Sequence, residues 1–232
     1  MANLIRSAKY GSDWTQYDLD AYNIQVQFED AATFFASSDM PLPIVDEELL
    51  TTQPAGESAV DDFAVELLKR LGYVKRQRVA RTRKDIPFLT DVCLIDRAQD
   101  DVLLLLQEDK SYTPADTIEP QAQLIAQMIV AFDYNNGLRE MVGERTLMQR
   151  FAQVMAGILM VGTAPIFYKM YVSKDLVQNV RHCTYPSHTT IVSAHVPTLP
   201  RPRRRYSEEM KPLDNRQAIL RCYGAIKRIV GI

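Results

Sequence analysis

Cysteine is scarce in this chain of 232 residues. There are three, Cys93, Cys183 and Cys222, far apart and odd in number. None belongs to a CxxC pair, which argues against both a zinc ribbon and a disulfide framework. His182, His188 and His195 stand near Cys183, but their spacing follows no zinc-ligand pattern. Long apolar runs are lacking too. "LIAQMIVAF" and "VMAGILMVG" are each near nine residues, about half of what a membrane span needs. The first twenty residues contain no signal-peptide core. The expectation is an intracellular protein, cytoplasmic or nuclear rather than secreted, with reduced thiols and no membrane partner. A strong charge of one sign is missing as well. The formal net charge is -2, so any affinity for polyanions has to be local.

What the chain has is ordinary and sufficient for a core: 47% hydrophobic and 24% charged residues, in a length suited to one large domain with appendages. Residues 1–57 mix an alternating stretch, "NIQVQF", with turn-rich segments, and read as a partly irregular arm packing on the rest. "SAVDDFAVELLKRLGY" predicts a helix. Val60, Phe63, Ala64, Leu67, Leu68 and Leu71 form its apolar face, Ser58 with Asp61 gives a capping signal, and Gly72 ends it. A strand or hairpin with six basic residues between 75 and 84 follows, then "TDVCLIDR" and "DVLLLLQEDKSY" as two strands joined by a short loop. "EPQAQLIAQMIVAFDYNNG" predicts a second helix stopping before Gly137. "AGILMVGTAPIFYKMYVS" predicts two strands around a Gly162–Pro165 turn. Residues 176–232 read as a Pro/Arg-rich extended segment and a short closing helix. This order predicts an α/β fold, a mixed sheet covered by helices on both sides.

The charged end of the leucine strand carries the functional question. Glu108 and Lys110 alternate onto one face, and Asp109 points to the other. If the preceding hairpin turns through 98–101, Asp91 falls opposite Glu108. A two-residue loop would put Asp91 opposite Leu106, still on the Glu108 face. Two carboxylates sharing a face, with a lysine beside them, make a site for a hard cation such as Mg²⁺.

These residues resemble the PD-(D/E)XK nuclease superfamily: Glu66 on the first helix, Asp91 on a strand, Glu108-Asp109-Lys110 after a hydrophobic strand, and glutamines opening the next helix. The resemblance covers residues 58–175, roughly half the chain, in the order αβββαβ. It implies a restriction-endonuclease-like α/β/α sandwich with a central mixed β-sheet. It implies Mg²⁺, with Mn²⁺ as a substitute, held by Asp91, Glu108 and the Asp109 carbonyl. It implies Lys110 as the catalytic lysine, with Glu66 and Gln123 in support. The expected activity is hydrolysis of phosphodiesters in nucleic acid, DNA ahead of RNA. The oligomeric state is open, a homodimer included. The chain departs from the pattern at Thr90, where the family has proline. No tyrosine stands four residues after Gln121, Gln123 or Gln127.

Each residue has a plainer reading. Glu66 could pair with Arg70, Asp91 could merely open a strand, and Glu108 with Lys110 could form an exposed ion pair. Lys75, Arg76, Arg78, Arg81, Arg83 and Lys84 are either a solvated strand face or phosphate contacts beside the site. Arg201, Arg203, Arg204 and Arg205 fit a targeting signal, a nucleic-acid arm or a solvated tail. Glu209-Met210-Lys211 repeats the ExK spacing in what reads as a solvated loop. The rival functions are a catalytically silent scaffold binding nucleic acid or protein, and an interaction protein acting through its C-terminal segment.

Overall fold

Strand alternation and helical spacing set most of the elements in the computed structural model, which describes residues 9–44, 59–82, 91–109, 118–141 and 154–232. Within these residues the helices are α1 (Gln16–Ala21), α2 (Ala31–Phe35), α3 (Ala59–Arg70), α4 (Ile118–Met141), α5 (Lys174–His182), α6 (Arg205–Glu208) and α7 (Leu213–Ile229). The strands are β1 (Ile24–Phe28), β2 (Arg78–Thr82), β3 (Val92–Asp96), β4 (Asp101–Asp109), β5 (Val154–Val161), β6 (Ala164–Tyr171) and β7 (Thr190–His195). They form one mixed sheet of seven strands, ordered β1-β7-β6-β5-β4-β3-β2. β2, β3 and β4 run antiparallel in sequence, and α4 carries the chain over to β5, which lies parallel to β4. β6 and β7 continue antiparallel, and β1 joins β7 in parallel at the far edge.

The fold is α/β, and two apolar cores lie on opposite faces of the sheet. On one, Cys93, Leu105, Leu159 and Tyr168 pack against Leu124, Met128 and Phe132 of α4, together with Leu19 and Leu176. On the other, Leu94, Leu104, Ile158 and Phe167 meet Phe34, Leu67, Leu68, Ile219 and Tyr223 from α2, α3 and α7. No helix among the described residues is long and apolar enough to cross a membrane.

Several expectations need correction. The second helix does not stop before Gly137 but continues to Met141, because Asn135 and Arg139 on either side of the glycine are buried and bonded to the start of β4. The first part of the chain is less irregular than its turn residues suggest, with α1, β1 and α2 all regular and β1 a member of the sheet. Arg201, Arg204 and Arg205 do not lie on a solvated tail. Arg201 holds Glu208 and Asp214 at 2.6 and 2.7 Å, Arg204 also reaches Glu208, and Arg205 is buried, donating to the Pro165 and Pro197 carbonyls. Glu209-Met210-Lys211 is no solvated loop either. Glu209 accepts from the Thr163 amide and hydroxyl at 2.8 and 2.9 Å, and Met210 is buried.

Candidate active site

The four leucines of β4 are all buried, but they do not alternate evenly. Leu94 pairs with Leu104 and Ile95 with Val102, so Leu103 is an extra residue in the ladder, a β-bulge. Leu103, Leu104 and Leu106 consequently face α3 and α7, and Leu105 faces α4. The hairpin turns through residues 97–100, since Asp96 pairs with Asp101.

The expected pairing of Asp91 with Glu108 does not form, because the turn at 97–100 alone would put Asp91 opposite Leu106 and the bulge moves it one residue further. Val92 pairs with Leu106, so one further step puts Asp91 level with Gln107. A bulge shifts register by one residue, and a one-residue shift exchanges faces. Neither hairpin loop considered from sequence included that extra residue. The two acidic residues nevertheless come together through the backbone. Asp91 lies in a bend just ahead of β3, and its Oδ2 accepts the Glu108 amide at 2.9 Å. That bond holds the Asp91 carboxylate against the end of β4, where the β3 main chain no longer supplies a pairing partner. Both residues are half-buried.

Gln107 and Gln123 make the second contact here. Gln107 is buried, points to the α4 side, and donates its amide to Gln123 Oε1 at 3.1 Å. Gln121, on the same helix, accepts from the Tyr168 hydroxyl at 3.1 Å. Gln107 is a residue that sequence reasoning passed over. Its signal was available, because a glutamine between a leucine run and two acids is itself a polar group entering a core.

Glu66 follows its plainer reading. Arg70 Nε lies 2.7 Å from its carboxylate and Lys69 Nζ 3.9 Å, at helical spacings, and the Glu66 side chain is 45% exposed. The basic run does not form one face. Arg78 shares the α3/α7 side with Ala80, and Arg81 alternates to the side of Val79 and the α4 core. Lys75, Arg76 and Arg78 also sit at the end of β2 remote from Asp91. Arg78 pairs with Asp96, five residues along β3 from Asp91 and so roughly 16 Å away. Of the described members of the basic run, Arg81 stands closest to Asp91 along the ladder, paired with Cys93. Ser58, Arg83, Lys84 and Lys110 lie outside the described residues, as does the Asp109 side chain.

Among the described residues no group of three or more His, Cys, Asp or Glu side chains could hold a metal ion. Mg²⁺ asks for less, since one or two carboxylates with substrate oxygens and water suffice. Asp91 and Glu108 offer hard oxygen donors of that kind, and Asp91 keeps Oδ1 outside its bond to the Glu108 amide. Comparison of the chain with protein-family models, with curated proteins and with solved structures gives no match.

Proposed function

We propose that the chain is a nuclease-like phosphodiesterase of the PD-(D/E)XK kind, with a restriction-endonuclease-like core over residues 58–175 acting on nucleic acid, DNA ahead of RNA. The observation that carries the reading is the Asp91–Glu108 contact at the end of a buried strand. The element order α3, β2, β3, β4, α4, β5 supports it, because the acidic residues then stand at the carboxyl end of β4, beside the crossover to a parallel strand. Asp91, Glu108 and the Asp109 carbonyl would hold Mg²⁺ or Mn²⁺. The ion's chemistry would be to polarise the phosphoryl oxygen and acidify bound water. Lys110 would orient that water or offset charge on the phosphate. Gln123, held by Gln107, would position groups around the site. Glu66 contributes less than the family pattern implies, because its carboxylate is engaged by Arg70.

Incubation of the pure protein with plasmid and oligonucleotides, with Mg²⁺, Mn²⁺ or EDTA, tests this. Cleavage is expected with the metals and not with EDTA. Lys110→Ala should lower the rate by about 10²-fold or more, and Asp91→Ala should abolish metal-dependent cleavage. Cleavage unaffected by both substitutions, or none with either metal, overturns it.

A second reading is favoured by the same bond. One Asp91 oxygen is occupied by the backbone and Glu66 is occupied by Arg70, which suits a scaffold that binds without hydrolysing. Calorimetry separates the two, since the silent scaffold binds nucleic acid but no Mg²⁺ or Mn²⁺ at Asp91 and Glu108.

A further inference from the structure

The chain folds back sharply after α3. Lys75 and Arg78 exchange both backbone hydrogen bonds, at 3.1 and 2.9 Å, around Arg76 and Gln77. Two residues paired this way present their side chains on the same side, and like charges directly opposite are destabilising. A third cation comes from the other end of the sequence. Lys227 of α7 donates to the Leu71 carbonyl at the end of α3, and its Nζ lies 5.0 Å from the centre of the Tyr73 ring. A Cβ on Gly72 would stand 3.8 Å from Lys227 Nζ and 4.0 Å from Lys75 Cε, so the two lysines converge over that glycine. Burial first, then the charges of Lys75 and Arg78, lowers the Lys227 pKa below the usual lysine value.

None of the three cations forms an ion pair with a carboxylate among the described residues. Asp96, opposite Arg78 in the ladder, accepts the Ala98 amide instead. The buried Nε of Arg78 makes no hydrogen bond among the described residues. From this geometry we infer that Lys75, Arg78 and Lys227 form a binding site for a phosphate group. The site rests on the convergence of the cations. Its use for nucleic acid rests on the nuclease reading, for which it supplies a phosphate contact roughly 16 Å from Asp91, well beyond the scissile position. Free polyphosphate carries the same chemistry and is the alternative source.

Binding of tripolyphosphate and of a 20-base-pair duplex, measured across a salt series, tests the inference on the full chain. Asp91→Asn serves as background, so that cleavage does not intrude. Each of Arg78→Met and Lys227→Met should weaken duplex binding and lower the salt slope by about one. Arg78→Met leaves the Lys227–Leu71 bond in place, which keeps the test decisive if Lys227→Met compromises folding. Tripolyphosphate binding that depends on Arg78, without duplex binding, upholds the phosphate site and removes the nucleic-acid reading. Unchanged affinity and salt slope for both ligands in folded Arg78→Met overturns the site, as does binding of neither ligand by the parent.

Discussion

Arg139, in the last turn of α4, forms a buried ion pair with Asp101 at the start of β4 and also reaches Gln99 at 2.6 Å. One turn earlier, Asn135 receives the Val102 amide at 2.8 Å and donates to the Val102 carbonyl at 3.0 Å. These polar contacts fix where β4 begins, beside the bulge that decides its register. Removing one partner of a buried pair leaves the other charge uncompensated, so Arg139→Met should cost about 3–5 kcal/mol in urea denaturation. His195 is a buried imidazole, 2% exposed, between the Glu29 carbonyl at 3.0 Å and the Cys222 sulfur at 3.9 Å. A carbonyl accepts only, so Nδ1 carries a proton. Burial, reinforced by nearby Arg205, lowers its pKa, although the Glu29 bond works the other way. A base whose folded pKa is depressed gives stability that is fully present above its unfolded value of about 6.5 and is lost as pH falls below it. Thermal unfolding between about pH 7 and pH 5 should show that loss, and His195→Asn should flatten it. Burial pushes the Cys222 thiol up to about 12, which keeps it protonated beside the histidine at neutral pH.

At the scale of elements, the β5–β6 hairpin links the sheet to the C-terminal segment. Its two-residue loop places Gly162 at φ +58°, a conformation glycine adopts without cost, and a Cβ there would lie 2.7 Å from Glu209 Oε2. Glu209 itself has positive φ and receives the Thr163 amide, so the second ExK is a clamp on this turn. Gly162→Ala should destabilise the protein by about 1–3 kcal/mol, measured by chemical denaturation. α5 and β7 were not legible in the sequence. α5 has short apolar content and strongly polar neighbours, and β7 ends in a histidine that only tertiary packing buries. α3 and α4 were legible, because their apolar spacing is the spacing of the face they bury.

Across the whole molecule, both ends of the chain complete the sheet and its cores. β1 adds an edge strand to β7, and the C-terminal segment places Leu199, Met210 and much of α7 against the same face as α3. A truncation lacking residues 213–232 would expose Ile219, Leu220, Tyr223 and Ile226 partners together. It should lose cooperative unfolding, read by circular dichroism against denaturant. Testing an interaction role by deleting residues 197–232 would therefore measure loss of fold. The basic cluster read there as a tail is engaged in ion pairs and buried carbonyl contacts.

The sequence by itself determined the α/β class, the helices α3 and α4, the strands β3 to β6, and the acidic end of the leucine strand, because those rest on local periodicity. Tertiary structure decided three other matters. The turn at 97–100 and the Leu103 bulge, invisible to alternation, together put Asp91 level with Gln107 instead of Glu108, and a carboxylate–amide bond stands where a side-chain juxtaposition was expected. Strand alternation split the basic run between two faces. Packing of α7 brought Lys227 to Lys75 and Arg78 across more than half the chain, a convergence that no spacing in sequence encodes.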